Sequence, residues 1–472
     1  MNEYKLLING EFVSASQRKE VRSPYDGKVI AEVHQAGPKE IETALSSAEN
    51  AFHQIKKWPA HKVSEVLQKI KNAVSANLED FAQTLSREAG KPIRTARVEV
   101  QRALHTFELG AEECKRINGE MLPLDQRAHG ENRWGMVHRF PLGVITAITP
   151  FNFPLNLVAH KVSPGIASKN SVILRPASQT PLCALKLGQV AFESGWPPGA
   201  LNVVPCPSEI VEPLITDPRV KMISFTGSPA VGWELKKKGY KKRVRLELGG
   251  NAGVIVHDDA NVPAAVEAIA NGGFIYAGQS CISVQRVFVQ EKIFDELVEK
   301  LVHRVKAFVL GDPLDEKTDI GPMISESEAK RAESWIREAA ASGAKILCGG
   351  NRNGSLLQPA ILTNTKSEMK VNCQEIFGPV ITVEKYSDFN AAVSDVDNSI
   401  FGLQAGVFTK DIDRIRYAFE NIEVGGLMVN EVPTWRIDQM PYGGVKESGN
   451  TREGVRYAIE EMTERRLLVV KF

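Results

Sequence analysis

Apolar and polar residues change their spacing several times along the 472-residue chain. Residues 1–35 alternate in short runs separated by Asn-Gly and Asp-Gly pairs, which is typical of strands joined by tight turns. From residue 38 to about residue 119, apolar residues recur every three or four positions, which predicts helices. Lys91-Pro92 interrupts this pattern, and the spacing predicts a further long helix over residues 95–117.

Short apolar strands alternate with helices between residues 143 and 228. Strands are predicted at 144–148, 172–174, 201–204 and 222–225. This βαβ order predicts a parallel sheet in a doubly wound α/β domain. A second α/β series begins after Gly249-Gly250 and extends to about residue 425. The final apolar run, residues 466–471, has no local partner, and we expect it to pair with residues 133–140 or with another subunit.

Composition argues against several classes of protein, among them nucleic-acid-binding, membrane-spanning and disulfide-rich proteins. The formal net charge of +1 gives no electrostatic footprint for nucleic acid or an acidic membrane. The N-terminus lacks a signal-peptide pattern, and no apolar run approaches the roughly 18 residues that span a membrane. The six cysteines and nine histidines are dispersed, without a CxxC pair. We therefore expect a cytoplasmic protein without a disulfide framework and without a metal site.

Three polar or glycine-rich stretches stand where predicted strands end. Asn152 follows the first strand, and its amide either donates a hydrogen bond to an oxyanion or caps the next helix. Phe225-Thr226-Gly227-Ser228 precedes a helix, an arrangement suited to a dinucleotide pyrophosphate although it is not G-x-G-x-x-G. Glu247 ends an apolar strand, where burial would raise its pKa toward that of a general base.

A thiol stands on the glycine- and serine-rich turn that precedes the strand at 287–289. Cys281 lies within residues 278–286, after an alanine-rich helical run. A cysteine on such a turn is either a buried structural residue or a nucleophile that meets substrate from several sides. Taken alone, the turn favours the structural interpretation.

Six motifs, in order along the chain, change that interpretation. They are TPFNFP around Asn152, FTGS at 225–228, ELGG at 247–250, GQSC at 278–281, EIFGP at 375–379 and PYGGVKESG at 441–449. Together they resemble the NAD(P)-dependent aldehyde dehydrogenase superfamily, from about residue 6 to the end. The resemblance is nearest to the lactaldehyde, phosphonoacetaldehyde and non-phosphorylating glyceraldehyde-3-phosphate dehydrogenases. The last of these typically carry arginine where this chain has Ser280.

The resemblance implies oxidation of an aldehyde to a carboxylic acid with NADP or NAD. Cys281 as a thiolate would attack the aldehyde carbon, and Asn152 with the Cys281 N–H would stabilise the oxyanion. Glu247 would activate the water that hydrolyses the resulting thioester. Lys161 and Glu453 match positions linked to a proton relay beside that base, with a structural ion pair as the alternative.

The resemblance also implies a set of cofactor-binding residues. Glu375 would hold the nicotinamide ribose, and Phe377 would flank the nicotinamide. The full set is Thr149, Pro150, Phe151, Arg175, Ala177, Ser178, Phe225, Thr226, Gly227, Ser228, Leu248, Gly249, Glu375 and Phe377.

Two arginines suggest the class of substrate. Arg102 and His105 share one face of the predicted helix 95–117, which in the family borders the substrate tunnel, and Arg436 lies in the loop that closes it. Converging guanidinium groups would suit a short anionic aldehyde carrying a phosphonate, phosphate, sulfonate or carboxylate. The alternatives are a lactaldehyde-type substrate and two solvated surface arginines.

The implied fold is the α/β aldehyde dehydrogenase fold with three parts. Residues 1–119 and 141–248 would form a Rossmann-like NAD(P)-binding domain, and residues 249–425 an α/β catalytic domain. Residues 426–454 would return to the cofactor domain and the active-site rim. A small β oligomerisation element, residues 120–140 and 455–472, would build a homodimer or homotetramer.

Two rival functions differ in residues that this chain carries. CoA-acylating dehydrogenases release the thioester to CoA and typically lack the base, so Glu247 argues against them. A non-catalytic protein on the same scaffold would have no need of Cys281, Glu247 and Asn152 together.

The stretch that begins at Arg175 generates a prediction about the cofactor. Family members usually carry lysine at Arg175, and many NAD-specific members carry glutamate at Ser178. Without that carboxylate a 2′-phosphate is not repelled, and Arg175 can pair with it, so we expect NADP to be accepted. Steady-state kinetics with both cofactors measure this. A kcat/KM for NAD more than about tenfold above that for NADP, roughly 1.4 kcal/mol, would contradict it.

Overall fold

A computed structural model describes residues 2–472. Its strands are β1 (Asn2–Tyr4), β2 (Leu6–Ile8), β3 (Glu11–Val13), β4 (Gln17–Arg22), β5 (Val29–Gln35), β6 (Glu120–Pro123), β7 (Arg133–Pro141), β8 (Val144–Ile148), β9 (Ser171–Arg175), β10 (Leu201–Val203), β11 (Val220–Thr226), β12 (Arg243–Glu247), β13 (Ala252–Val256), β14 (Val284–Gln290), β15 (Lys345–Cys348), β16 (Arg352–Asn353), β17 (Leu356–Leu357), β18 (Ala360–Thr363), β19 (Val380–Tyr386), β20 (Phe401–Gly402), β21 (Gln404–Phe408), β22 (Gly426–Val429), β23 (Val445–Lys446) and β24 (Thr463–Lys471).

Helices alternate with these strands through most of the chain. They are α1 (Pro38–Ile55), α2 (Ala60–Ala76), α3 (Leu78–Ala89), α4 (Ile93–Glu113), α5 (Asn156–Ala167), α6 (Leu182–Glu193), α7 (Glu212–Thr216), α8 (Pro229–Lys238), α9 (Val262–Phe274), α10 (Phe294–Lys306), α11 (Glu326–Ala341), α12 (Lys370–Cys373), α13 (Phe389–Asp397), α14 (Ile412–Asn421) and α15 (Val455–Glu461). No helix within residues 2–472 is long and apolar enough to cross a membrane.

The predicted break in the N-terminal helical region is confirmed. Helix α3 ends at Ala89, and Gly90 adopts a left-handed conformation with φ 67°, which a glycine accepts without a Cβ clash. Pro92 then precedes α4, which begins two residues earlier than predicted and ends four residues before residue 117. Helices α2, α4 and α5 pack together over an apolar core shared with α3 and α6.

The first large sheet has the strand order β12-β11-β8-β9-β10-β2-β3. Strands β8 to β12 pair in parallel, as the alternation of strands and helices predicted, whereas β2 and β3 add an antiparallel edge. The carboxyl ends of β8, β11 and β12 therefore lie side by side. The polar stretches that begin at Thr149, Gly227 and Glu247 meet at this edge.

The second large sheet has the strand order β15-β18-β19-β14-β13-β21-β22. Its central strands are parallel, and β13 follows β12 after only four residues. Cys281 lies three residues before β14, and Phe377 three residues before β19. The amino ends of the second sheet therefore face the carboxyl ends of the first across the Leu248–Asn251 link.

The C-terminal strand pairs within the chain. Strand β24 runs antiparallel to β7 over nine residue pairs, and β6 covers the other side of β7. Strand β24 is an edge of this three-stranded sheet, so β7 pairs one side of its backbone, and pairing of its outer edge with another subunit stays a prediction.

Candidate active site

A cavity of about 1000 Å³ lies where the two large sheets face each other. Fifteen of the site residues predicted from the sequence line this cavity, although they come from distant parts of the chain. They are Arg102, Pro150, Phe151, Asn152, Thr226, Gly227, Ser228, Glu247, Leu248, Gly249, Cys281, Glu375, Phe377, Arg436 and Glu453.

The turn that carries Cys281 has an unusual backbone. Tyr276, Ala277 and Gly278 are consecutive left-handed residues, with φ of 53°, 52° and 65°. Such a conformation costs free energy for the two non-glycine residues and persists only where neighbours fix it. The Tyr276 hydroxyl donates to the Ala89 carbonyl at 2.9 Å, which anchors the turn. Gln279 accepts the Ile324 N–H at 2.7 Å on the other side.

The Cys281 thiol faces the cavity but has protein on most sides. Burial raises its pKa to about 12, and a contact with Tyr442 opposes that shift. The Cys281 Sγ and the Tyr442 Oη are 3.0 Å apart. A buried thiol is a poor nucleophile until it ionises, so its neighbours must favour the thiolate.

Asn152 is held from two directions in the loop after β8. Its side-chain Nδ2 donates to the Gln279 backbone carbonyl at 3.0 Å, and its backbone carbonyl accepts from Lys91 Nζ at 2.8 Å. The first contact ties the amide to the cysteine turn and leaves one amide hydrogen available to a ligand. Asn152 therefore does not act as a simple cap of α5.

The side chain that fixes Asn152 belongs to a fully buried ion pair. Lys91 binds Glu99, whose Oε1 accepts the N–H groups of Leu155 and Asn156 at 3.0 and 3.1 Å, where α5 begins. The Lys91 ammonium also lies 3.7 Å from the centre of the Phe153 ring. Glu99 thus caps α5, and Lys91 holds the loop that carries Asn152. One buried ion pair therefore supports both the loop and the start of the helix.

Glu247 is buried at the end of β12. Neither of its carboxylate oxygens has a hydrogen-bond partner within residues 2–472. A Cβ atom at Gly443 would stand 2.7 Å from the Glu247 Oε1, so only glycine leaves room there. Burial, and next the charge of Glu453, raise the pKa of Glu247 well above its usual range. A carboxylate with this pKa accepts protons readily.

Glu453 has the opposite electrostatic character. Burial disfavours its charge, but Lys161 and Arg436 outweigh burial and lower its pKa to about 2. Its Oε1 lies 3.4 Å from Lys161 Nζ, and its Oε2 lies 3.1 Å from Arg436 Nη2. Lys161 does not line the large cavity and donates to Ser224 at 3.0 Å behind Glu247.

Both candidate anion-binding arginines have internal carboxylate partners. Arg102 donates to the two Asp438 oxygens at 2.7 and 3.3 Å, and His160 lies 2.8 Å from the same carboxylate. Arg436 is paired with Glu453. Both guanidinium groups therefore line the cavity with a carboxylate already bound.

His105 is not brought into the cavity. One helical turn carries it away from Arg102, and its ring lies near Gln439 Oε1, at 3.3 Å, and Glu108. Its expected place beside the substrate is therefore not supported, because the rise of one helical turn moves it past the cavity wall, where 40% of its side chain is exposed.

The cofactor candidates form a cleft beside the nucleophile. Glu375 accepts the Gly250 N–H at 2.8 Å, and burial raises its pKa to about 7. Phe151 and Phe377 meet edge to face with their centres 5.8 Å apart. Gly227 and Ser228 lead into α8, and the buried Thr226 hydroxyl has no partner in the part of the chain that the structure describes. A glycine turn, a helix start and unpaired polar groups fit a dinucleotide.

Five other cofactor candidates lie outside the cavity lining. Arg175 donates to the Cys206 carbonyl at 3.1 Å and to Ser208 at 3.1 Å, so its guanidinium faces the loop after β10. The others are Thr149, Phe225, Ala177 and Ser178.

Comparison with known proteins agrees with this arrangement. The sequence profile of the aldehyde dehydrogenase family matches residues 12–468. The chain belongs to the aldehyde dehydrogenase family.

Relatives of this aldehyde dehydrogenase match over nearly their whole length. The chain is 44% identical over 471 residues to 3-sulfolactaldehyde dehydrogenase of Priestia aryabhattai, covering 100% of this chain and 98% of that protein. Aldehyde dehydrogenase 21 of Physcomitrella patens, solved with the reaction product succinate, superposes with a TM-score of 0.98 at 43% identity, covering 100% and 98%. Glyceraldehyde-3-phosphate dehydrogenase of Methanocaldococcus jannaschii, complexed with NADP, gives 0.93 at 37%, covering 97% and 100%. The chain has the aldehyde dehydrogenase fold.

Several residues of this aldehyde dehydrogenase site escaped the sequence reasoning. Lys91 was noticed only as part of a helix break, and Tyr442 only as part of a glycine motif. Asp438 and Glu99 had no signal beyond being acidic residues in otherwise ordinary stretches. In residues 2–472, no group of three His, Cys, Asp or Glu side chains is arranged to hold a metal.

The buried Lys91–Glu99 pair generates a stability prediction. Glu99→Gln leaves an ammonium buried without its counter-charge, and we expect the free energy of unfolding to fall by about 3–5 kcal/mol. Urea unfolding followed by circular dichroism measures the change. The matched control is Glu79→Gln, which breaks an exposed pair with Arg97 and should have little effect. Equal losses in the two variants would contradict the assignment.

Proposed function

We propose that this aldehyde dehydrogenase oxidises a short aldehyde that carries an anionic group to its carboxylic acid, with NADP or NAD. The observation that carries the proposal is the presence of Arg102 and Arg436 on the wall of the cavity that holds Cys281. A guanidinium binds carboxylate, phosphate, phosphonate or sulfonate through paired N–H groups.

Arg436 retains donors for such a group despite its internal ion pair. Its side chain is 7% exposed, and its Nε has no hydrogen-bond partner among the described residues. An unpaired buried donor costs free energy that an acceptor on the substrate would recover. Arg102 is 26% exposed and binds Asp438 through Nε and Nη2, so its Nη1 is a second candidate donor.

Positive charges outnumber negative ones in the buried cluster that holds Arg102 and Arg436, although the rest of the cavity wall is mainly acidic. Arg102, Arg436 and Lys161 face two ionised carboxylates, Asp438 and Glu453. Burial lowers the pKa of His160 and raises that of Glu247, so both favour their neutral forms. With Glu247 protonated the group carries net positive charge.

The relatives support the same chemistry. One is named for a sulfonated aldehyde, one was solved with the dicarboxylate succinate, and one is named for a phosphorylated aldehyde. A substrate of lactaldehyde type without a charged group is the alternative within the family.

The geometry of the cavity supports a set of catalytic roles. In our proposal the Cys281 sulfur attacks the aldehyde carbon, and the remaining Asn152 amide hydrogen with the Cys281 N–H binds the oxyanion. A nicotinamide cofactor, when bound, supplies the hydride acceptor. Glu247 then takes a proton from the water that cleaves the thioester, and Lys161 with Glu453 relays that proton away from the base.

The cofactor roles are also proposals. Thr226, Gly227 and Ser228 would bind the pyrophosphate, with Glu375 at the nicotinamide ribose and Phe377 beside the ring. Arg175 and Ser178 would meet the adenosine ribose or its 2′-phosphate.

Steady-state kinetics with a carboxylated and a neutral aldehyde test whether the substrate is anionic. Arg102→Gln removes one charged donor, so kcat/KM for a carboxylated aldehyde should fall about tenfold more than for the neutral aldehyde of the same length. The matched control is Arg94→Gln, on the same helix but paired with Asp319 outside the cavity. Equal losses on both aldehydes would contradict the proposal.

A product assay with added CoA tests the reaction type. Formation of a CoA thioester would favour the rival function, a CoA-acylating dehydrogenase.

We also propose the division into domains that the sequence predicts. In this division, chains assemble into a homodimer or homotetramer through the sheet of β6, β7 and β24. Directly opposed residues of antiparallel strands share a face, so Met121, Met136 and Leu468 form one row, and Trp134 and Val470 extend it. All five are more than a third exposed. A contiguous apolar face of this kind is typical of a subunit contact.

Light scattering on the purified chain tests this surface. Leu468→Arg places a charge in the middle of the apolar face and should lower the mass of the particle toward that of one chain. The control is Ile412→Arg, at a still more exposed apolar residue on α14, which should leave the mass unchanged. A wild-type monomer would contradict the assignment.

A further inference from the structure

One contact at the nucleophile has no part in the roles above. The Tyr442 hydroxyl lies 3.0 Å from the Cys281 sulfur. We infer that Tyr442 is a further catalytic residue, whose O–H donates a hydrogen bond to the Cys281 thiolate and favours its formation. This inference rests on the proposed function only in taking Cys281 as the nucleophile.

The structure fixes the position of the hydroxyl. Tyr442 is 2% exposed, and its backbone pairs with Glu453 in an antiparallel bridge. The Arg436 guanidinium carbon stands 3.6 Å from the centre of its ring. Because Arg436 also binds Glu453, ring and backbone are held by the same buried network. A donor on so rigid a support is oriented before substrate arrives.

The direction of the hydrogen bond follows from the two groups. A thiolate has no hydrogen to give, so the hydroxyl must be the donor once the thiol has ionised. Burial raises the pKa of Tyr442 well above its ordinary value, so the phenol keeps its proton. The Arg436 cation over the ring draws electron density from the oxygen and makes the O–H a stronger donor.

The thiolate needs this support because few other groups provide it. Within residues 2–472, Tyr442 is the only residue whose side chain makes a hydrogen bond to the Cys281 sulfur. The side chain of Asn152 points its amide at the Gln279 carbonyl instead. The buried thiol thus depends on Tyr442 and, at longer range, on the charge of Arg436.

Alkylation of Cys281 as a function of pH tests the inference without using catalysis. Tyr442→Phe keeps the ring under Arg436 and removes only the hydroxyl. We expect the apparent pKa of Cys281, read from the rate of modification by iodoacetamide with the site identified by mass spectrometry, to rise by about one. At pH values below that pKa, alkylation should be about tenfold slower. The control is Tyr386→Phe, a buried hydroxyl bonded to His257, which should leave the profile unchanged.

A second variant keeps the test decisive if the first folds poorly. Replacement of Tyr442 by 3-fluorotyrosine preserves its shape and gives a more acidic hydroxyl, so the apparent pKa of Cys281 should fall. An unchanged alkylation profile in either folded variant would overturn the role of Tyr442. Failure of the proposed function is distinguishable, because Cys281→Ser would then retain aldehyde oxidation whatever the Tyr442 variants do.

Steady-state kinetics give an independent readout. Loss of the hydroxyl weakens a nucleophile common to every substrate, so Tyr442→Phe should lower kcat/KM for carboxylated and neutral aldehydes by the same factor. A loss confined to the carboxylated aldehyde would assign Tyr442 to anion binding and contradict the inference.

Discussion

The ionised carboxylate of Glu453 is the charge on which the candidate active site depends. Lys161 and Arg436 bind it in a region with little solvent, where isolated charges are costly. Burial raises the pKa of the neighbouring Glu247, and the negative charge of Glu453 raises it further. Its hold on Arg436 also fixes the cation above Tyr442. One carboxylate therefore links the candidate base to the group that touches the candidate nucleophile.

A second buried ion pair, Lys91 with Glu99, fixes the wall of the cavity that carries Asn152. Lys91 and Glu99 connect the end of α3, the N-terminus of α5 and the Asn152 loop, and the Lys91 ammonium packs on Phe153. These contacts restrict Asn152 to one position beside the strained Cys281 turn. Buried ion pairs add little net stability over apolar packing, but breaking one is costly, so they suit the fixing of a geometry.

The two arginines illustrate what local sequence leaves open about charge. The family resemblance put Arg102 and Arg436 beside one tunnel, and both line the same cavity. Their partners, Asp438 and Glu453, come from other parts of the chain, and no spacing relates Arg102 to Asp438. His105 shows the limit of that resemblance, because it lies three residues beyond Arg102 on α4 and outside the cavity lining.

The sequence by itself determined the fold class, the order of the strands and helices, the break at Lys91-Pro92 and the motifs that bring Asn152, Glu247 and Cys281 to strand ends. These features are local, since periodicity, proline and glycine act within a few residues. Only the tertiary structure decided which charges are paired, that Glu247 has no hydrogen-bond partner in the described chain, and that Tyr442 touches the thiol. Those properties depend on contacts between residues far apart in sequence and on the exclusion of water, which no local pattern records.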